Sequence, residues 1–236
     1  MTAKPPLLGV LGGMGPFATV DFLTKLIEET GAERDEHHVP VVVYSVPQIP
    51  SRPAAIMHGG ASPLPAMLEG VRVLKGAGAS AIAIACNTAH YWYDALQLEA
   101  GVPILHIADA ACDTMAESGA LPRAAGLIGT RGTLHAAFFQ ERLEARGVAC
   151  IVSTEEEQAE LVEPAILAVK RHALAAAHPL AVQACERRAE RGAESIIMAC
   201  TEIPPALEYA SHPFATRCVD PTRALARACV RWWRMR

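Results

Sequence analysis

The sequence lacks several features that would assign it to a class of protein at once. Of its 236 residues only 5% are aromatic and 19% are charged, and the formal net charge is −4 at pH 7. Without a basic excess, nothing global attracts the chain to nucleic acid or to an anionic membrane. No apolar run approaches the ~20 residues that span a bilayer, and the N-terminus carries no signal-peptide cleavage pattern. We therefore expect a cytoplasmic protein.

Cysteine occurs seven times but never in a CxxC pair. An odd number at these spacings fits neither a zinc site nor a disulfide framework. The adjacent His37 and His38 stand in a polar loop with no third ligand, so we predict no metal site. Most of the thiols are expected to be small buried side chains in a reducing compartment. A functional cysteine must therefore be identified by its context.

Short apolar runs alternate with helix-like segments along the whole chain. The runs are rich in Val and Ile without polar alternation, which is typical of parallel strands covered on both faces; they are LLGVLG, VVVYSV, AIAIAC, VPILHI, AAGLIG, VACIV, SIIMAC and TRCVD. Helical spacing predicts helices that include 66–76, 135–146 and 155–170, with Gly76, Gly147 and Gly192 as left-handed helix stops. This alternation predicts an α/β fold with doubly wound parallel sheets.

The chain also repeats itself. GVLGGMGPFATVDF from Gly9 aligns with GLIGTRGTLHAAFF from Gly126, and GASAIAIAC, ending at Cys86, aligns with GAESIIMAC, ending at Cys200. The two landmarks lie 74 positions apart in one copy (12 to 86) and 71 in the other (129 to 200). We infer two similar domains related by a pseudo-two-fold axis, with the site in the cleft between them.

The polar stretch 116–124 is the best boundary between the two copies. We assign residues 1–115 to the first domain and 116–218 to the second. Two placements stay open for the last strand and helix, residues 219–236, which either return to the first domain or stay with the second. The basic, aromatic end of the chain, RACVRWWRMR, is read as an amphipathic helix rather than a nucleic-acid-binding tail.

Cys86 and Cys200 each end an apolar strand and precede polar residues, in CNTAH and CTEI. Ligands of open parallel sheets bind at this end of the strands, where helix N-termini also point. A free cysteine has a pKa near 8.5, so a modest decrease produces an appreciable fraction of thiolate. Pseudo-symmetry would bring the two thiols to opposite sides of one cleft, as a base and an acid. Such a pair fits inversion at a carbon atom, which loses a proton from one face and gains one on the other.

Other candidates leave more than one interpretation open. GGMGP (12–16) and GTRGT (129–133) follow strands and open helices, so each is either an anion-binding turn or an ordinary strand–helix turn. Arg52 and Lys170 would matter for an acidic ligand but could equally be solvated surface charges. His90 could orient the Cys86 thiol or simply pack against a helix.

Six motifs together resemble the aspartate/glutamate racemase family, in particular its aspartate racemase branch. Their order and spacing match nearly from end to end: GGMGP, VPQIPSR, AIACNTAHYWYD, GTRGT, EEEQAELVEPAILAVK and ACTEIP. The resemblance implies a two-domain α/β protein that uses neither pyridoxal phosphate nor a metal. It also implies a homodimer that acts on a small-molecule acidic amino acid, and no nucleic-acid or membrane partner.

The resemblance also assigns roles to individual residues. Cys86 and Cys200 match the two catalytic cysteines, and Arg52 and Lys170 match residues that bind substrate carboxylates. The remaining matches are to positions that hold or adjoin the substrate: Met14, Asn87, Thr88, Thr130, Thr133 and Thr201. The leading hypothesis is therefore racemisation of aspartate, glutamate or both.

Two alternatives stay open. The first is a lyase or isomerase on the same scaffold, such as a malonate-type decarboxylase, a dicarboxylate isomerase or a hydantoin racemase. The second is a non-catalytic protein that binds an acidic ligand, which would use the basic residues but would not need the thiols.

Overall fold

The computed structural model describes residues 5–117 and 119–236 and contains two four-stranded parallel sheets. The first sheet has the order β2-β1-β3-β4 and the second β6-β5-β7-β8. The strands are β1 (Leu8–Gly12), β2 (Val41–Ser45), β3 (Ala81–Ile84), β4 (Ile104–Leu105), β5 (Ala124–Gly129), β6 (Ala149–Ile151), β7 (Ser195–Ala199) and β8 (Cys218–Val219). Each strand lies within one of the eight predicted apolar runs, and the predicted α/β class is confirmed.

Helices cover both sheets. They are α1 (Pro16–Thr30), α2 (Arg52–His58), α3 (Leu64–Gly76), α4 (Tyr93–Ala100), α5 (Ile107–Glu117), α6 (Arg131–His135), α7 (Phe138–Glu144), α8 (Glu155–Glu157), α9 (Glu163–Lys170), α10 (Leu174–Glu190), α11 (Ile203–Glu208) and α12 (Pro221–Arg234). Three short turns complete the description: 3-10 turns at Asp35–His37 and Thr88–Trp92, and a π-helical turn at Gln158–Val162. No helix in these described stretches has both the length and the apolar composition that crossing a bilayer requires.

The register of the sheets reproduces the sequence repeat. Gly9 in β1 pairs with Ile82 in β3, and Gly126 in β5 pairs with Ile196 in β7. These are the residues that the sequence alignment matches with one another. The two sheets therefore have the same strand order, the same parallel pairing and the same register at their centres.

Some helix boundaries differ from the sequence prediction. The predicted helix over 135–146 is broken, because Ala137 adopts a left-handed conformation with φ 57° and α7 starts only at Phe138. The helix over 155–170 passes through the π turn just before Pro164, which has no backbone N–H to donate. Gly147 and Gly192 have positive φ, as expected of helix stops, whereas Gly76 is the last residue of α3.

The C-terminal helix packs against α1 and α5. A buried cation fastens this contact: Nζ of Lys25 lies 2.7 Å from carboxylate oxygens of both Asp21 and Asp220. Asp220 also caps α12, because its side chain accepts a hydrogen bond from the backbone N–H of Thr222. The last helix thus contacts the first half of the chain while the strand before it, β8, pairs in the second sheet.

The proposed division of the chain at residue 116 stays a prediction. Within the boundary stretch, Ser118 lies outside the described residues.

Candidate active site

One small pocket brings together almost all of the predicted site residues. It is lined by Met14, Arg52, Pro53, Cys86, Asn87, Thr88, Thr130, Lys170, Cys200, Thr201 and Glu202. The strand ends explain this convergence. Cys86 follows β3, which pairs with β1, and Cys200 follows β7, which pairs with β5. Of the predicted residues only Thr133 is not part of the lining, and it bonds to two residues that are.

The two cysteines have similar burial but different neighbours. Cys86 is 6% exposed and Cys200 is 5% exposed. The Cys200 thiol donates a hydrogen bond to Oε2 of Glu202 at 3.0 Å. Burial raises the pKa of the Cys200 thiol well above its usual value, and the Glu202 carboxylate raises it further. Cys200 is therefore a thiol at neutral pH.

Asn87 is the most informative binding group in the pocket. Its side chain is 3% exposed, and neither Nδ2 nor Oδ1 has a hydrogen-bond partner within the protein. Burial of an unpaired amide costs free energy unless something else satisfies it. The amide offers one acceptor and one donor group, which suits the ammonium and the carboxylate of an amino acid.

Three hydroxyl groups join the two halves of the molecule beside the cysteines. Thr88 Oγ1 lies 2.8 Å from Thr133 Oγ1 and 3.2 Å from Thr130 Oγ1, and the latter two oxygens are 3.0 Å apart. Thr130 also caps α6 by accepting a hydrogen bond from the backbone N–H of Thr133. The cluster therefore holds the loop after β3 against the turn after β5.

The two predicted carboxylate-binding cations are held differently. Arg52 opens α2, and its guanidinium donates to the carbonyl oxygens of Met14, Ile49 and Pro50 at 2.9–3.1 Å. Lys170 ends α9, its side chain is 58% exposed, and its Nζ lies 3.8 Å from Oε1 of Glu202. Arg52 is thus a fixed charge, whereas Lys170 retains freedom to move toward a ligand.

The glycine turn after β1 forms one wall of the site. Gly13 has φ 90°, and an added Cβ would lie 2.4 Å from the backbone of Val46. Its N–H donates to the Thr19 hydroxyl at 2.9 Å, so this donor is already used within the fold. The turn supplies shape, and the Met14 carbonyl that fixes Arg52, rather than an open row of N–H groups.

His90 does not touch the Cys86 thiol. Its Nδ1 lies 2.9 Å from the Cys86 carbonyl oxygen, and its Nε2 accepts the backbone N–H of Ile107 at 3.3 Å. Complete burial lowers the pKa of His90 to about 4, so the ring is neutral at pH 7. Of the two interpretations of His90, the structure favours packing: the ring supports the backbone behind the cysteine.

Glu202 is the functional candidate that the sequence analysis did not select. It enters there only as part of the polar run after Cys200. Its importance depends on contacts with Cys200, Thr201 and Lys170, and the last of these lies on another helix. A carboxylate two residues after a candidate acid or base was the signal that could have identified it.

The pocket between the cysteines has a volume of about 40 Å³, which is space for only a few water molecules. A cavity of about 540 Å³ adjoins it and shares Arg52, Lys170, Thr201 and Glu202. Much of the wall of that cavity is apolar, formed by Phe17, Ala18, Pro47, Val169, Leu174 and Pro205. A ligand with its α-carbon between the thiols would therefore extend its side chain toward this larger space.

All seven cysteines are free. In residues 5–117 and 119–236, no group of three or more His, Cys, Asp or Glu side chains is arranged to hold a metal ion.

Comparison with known proteins finds relatives along nearly the whole chain. A family described as Asp/Glu/Hydantoin racemase matches residues 11–229. The broad specificity amino-acid racemase RacX of Bacillus subtilis is 28% identical over 228 residues, which cover 95% of this chain and 96% of that protein.

Solved structures give the same result for the fold. The Picrophilus torridus aspartate racemase superimposes with a TM-score of 0.82 at 28% identity, covering 97% of this chain and 94% of the other. An aspartate racemase homologue from Pyrococcus horikoshii superimposes with a TM-score of 0.76 at 25% identity, covering 96% and 98%. The predicted family and the predicted two-domain architecture are confirmed.

Proposed function

The chain belongs to the Asp/Glu/hydantoin racemase family, and from this premise we propose that it racemises an amino acid with Cys86 and Cys200 as the two proton-transfer groups. One cysteine, as thiolate, removes the α-proton, and the electron pair of the C–H bond stays on carbon, delocalised into the carboxylate. The other cysteine, as thiol, then donates its proton to the opposite face and becomes the thiolate. In the reverse direction the two cysteines exchange roles.

The observation that carries this proposal is the pocket itself. Two thiols of matched burial line a space that admits little more than a substituted carbon atom. Asn87, whose amide has no partner within the protein, lines the same space. A site that only bound an acidic ligand would need the cations but not the two thiols.

Polar groups in the same pocket support the developing negative charge. As the α-proton leaves, charge accumulates on the substrate carboxylate, and donors fixed before the reaction stabilise it at little reorganisation cost. Asn87 and the hydroxyl groups of Thr88 and Thr130 are the available donors, and Thr133 holds both hydroxyls in place.

The proposed substrates are aspartate and glutamate. Arg52 is a fixed cation at the pocket wall, and Lys170 is a more exposed one whose Nζ lies 3.8 Å from Oε1 of Glu202. A second carboxylate on the substrate would find its charge partner in Lys170. We further propose that the reaction needs no pyridoxal phosphate or metal, while the homodimer and the cytoplasmic location stay predictions.

A specific observation also favours a second substrate class. The adjoining cavity of about 540 Å³ is far larger than the side chain of aspartate requires, and its wall is largely apolar. The Bacillus subtilis relative carries the description "broad specificity". Amino acids with longer side chains are therefore the second candidate.

The test is solvent-proton exchange at the α-carbon. Each enantiomer of a panel of acidic and longer amino acids is incubated with the protein in D2O without added cofactor. We expect deuterium at the α-carbon and formation of the opposite enantiomer, measured by chiral chromatography and mass spectrometry. Aspartate binding without exchange would support the binder instead, and carbon dioxide release from a substituted malonate would support the lyase. Either result without racemisation overturns the proposal.

A further inference from the structure

The two halves place different groups beside their cysteines. Counting two residues on from each thiol gives Thr88 in the first half and Glu202 in the second. Thr88 belongs to the uncharged hydroxyl cluster, whereas Glu202 is a carboxylate whose side chain is 15% exposed. The two equivalent strand ends therefore differ in charge two residues after the cysteine.

Glu202 is bound on both of its carboxylate oxygens. Oε2 accepts the Cys200 thiol at 3.0 Å and the Thr201 hydroxyl at 3.1 Å. Oε1 faces the Lys170 ammonium at 3.8 Å. The carboxylate is thus held by three groups and points one lone pair at the sulfur of Cys200.

We propose that Glu202 is a positioning residue that keeps Cys200 protonated in the resting enzyme, so that Cys200 is the proton donor of the first step. This inference rests on the proposed racemase function for its kinetic consequences, but not for its effect on the thiol. A hydrogen bond from S–H to a carboxylate stabilises the thiol, and a thiolate at the same place would meet the negative charge of Glu202.

The other charged and titratable groups around Cys200 do not cancel this effect. Lys170 approaches from the end of α9, Arg52 from the start of α2 and Cys86 from the end of β3. The Lys170 ammonium favours a thiolate, but it is paired with Glu202. The Arg52 guanidinium donates its hydrogen bonds to three backbone carbonyl oxygens rather than to Cys200. Burial is the largest cause that raises the Cys200 pKa, and the Glu202 carboxylate is the next. The Lys170 ammonium lowers the same pKa, but by less.

The asymmetry has a kinetic consequence. The form with a Cys86 thiolate accepts the enantiomer whose α-proton faces Cys86, and the opposite enantiomer needs the disfavoured form. Because the equilibrium constant of racemisation is one, kcat/KM must be equal in the two directions. The difference therefore appears as kcat and KM values that are both larger in one direction than in the other.

The direct test is differential alkylation of the substrate-free protein. Wild type, Glu202→Gln and the control Glu156→Gln are treated with iodoacetamide from pH 6 to pH 10, and modification of each cysteine is followed by peptide mass spectrometry. Glu156 is an exposed glutamate on α8. Comparing the Cys200 rate between wild type and Glu202→Gln isolates the effect of the carboxylate, since the amide has nearly the same shape and size as the carboxylate and only the thiolate is alkylated.

We expect Cys200 of the wild type to be modified slowly near neutral pH. Glu202→Gln should accelerate modification of Cys200 by about tenfold near neutral pH and leave Cys86 unchanged, while Glu156→Gln changes neither. A Cys200 rate that Glu202→Gln does not alter overturns the inference. This readout needs no turnover, so it separates a failure of the inference from a failure of the racemase assignment.

Kinetics supply the second readout. In Glu202→Gln the ratio of the two kcat values should move toward one, and the pH profile of the slower direction should shift to lower pH. Glu202→Asp, which keeps the carboxylate, should restore most of the wild-type asymmetry. If Glu202→Gln and Glu202→Asp lose activity equally with no change in the kcat ratio, Glu202 has only a structural role. Thermal unfolding of both variants identifies any loss of folding.

Discussion

The two halves of the molecule share a backbone plan but not a chemistry. At the centre of each sheet the glycine, its isoleucine partner and the strand order correspond. At the strand ends they diverge: Asn87 and Thr88 follow one cysteine, and Thr201 and Glu202 follow the other. The repeated scaffold thus surrounds its two cysteines with different groups, hydroxyls beside Cys86 and a carboxylate beside Cys200.

The interiors differ as well. The first half buries two neutral histidines, His90 and His106, whose ring centroids are 4.7 Å apart. The second half buries Arg188, which is fully covered and donates to the carbonyl of Ala184 and the hydroxyl of Ser153. Glu157 lies 3.4 Å from the same guanidinium. Each half therefore buries its own polar side chains. The following experiments test whether substitutions in the two halves affect activity and stability differently.

The largest effect should come from exchanging either thiol for a hydroxyl. Cys86→Ser and Cys200→Ser should each lower kcat/KM for racemisation by at least about 100-fold, because each removes one of two required proton-transfer groups. The measurement is chiral chromatography of product. Cys150→Ser, a partly buried cysteine in β6, is the matched control and should retain activity. Near-normal racemisation by one of the two variants would show that the cysteine replaced in it is not needed for proton transfer.

A smaller effect should follow from alanine at the matched glycines. A Cβ on Gly126 would lie 2.7 Å from Cβ and Cγ of Arg188, and one on Gly9 would lie 2.9 Å from Cβ of Ala79. Overpacking of this kind costs about 1–3 kcal/mol. Gly126→Ala should be the worse of the two, since the guanidinium of Arg188 is fixed by its partners and cannot move aside.

Urea unfolding of both variants measures the loss. Gly76→Ala is the control, because Gly76 ends α3 in open space, where alanine should be neutral or slightly stabilising. Equal destabilisation by Gly9→Ala and Gly126→Ala would mean that the buried arginine adapts as easily as the alanine.

The last comparison concerns the pH dependence of the first half. Burial lowers the pKa of His90 to about 4 and that of His106 to about 2, whereas an unfolded histidine titrates near 6.5. Between pH 6.5 and pH 4 the unfolded chain thus binds more protons than the folded chain, so the free energy of unfolding falls as the pH falls. Urea midpoints at pH 7 and pH 5 measure the decrease.

His90→Asn should be less stable than wild type at pH 7 but should lose less stability on going to pH 5. His37→Asn is the control, since His37 is exposed and should leave the pH dependence unchanged. A drop in His90→Asn as large as that of the wild type would exclude His90 as a source of the acid sensitivity.

Most of the fold follows from local patterns. The eight apolar runs predict the strands because a strand buried on both faces has few other sequences available to it. The helix prediction was wrong at Ala137, where a non-glycine residue adopts the left-handed conformation within a segment of helical spacing. The π turn before Pro164 was not predicted either, because the spacing of apolar residues along a helix does not show one extra residue in a turn.

The site was predictable in part for the same reason. Cys86 and Cys200 stand at strand ends, and sheet topology alone brings such ends to ligand sites. The Thr88–Thr130–Thr133 cluster and the Glu202–Lys170 ion pair join segments far apart in the chain. Their separations in sequence carry no signal of those contacts.

The sequence by itself determined the parallel α/β architecture, the repeat and the pair of cysteines. Each of these features depends on short runs of neighbouring residues, whose apolar pattern predicts buried strands. Only the tertiary structure decided the environment of the Cys200 thiol. A pKa depends on burial and on charges within a few ångströms. The fold buries Cys200, and the chain conformation after β7 brings the Glu202 carboxylate to 3.0 Å from its sulfur.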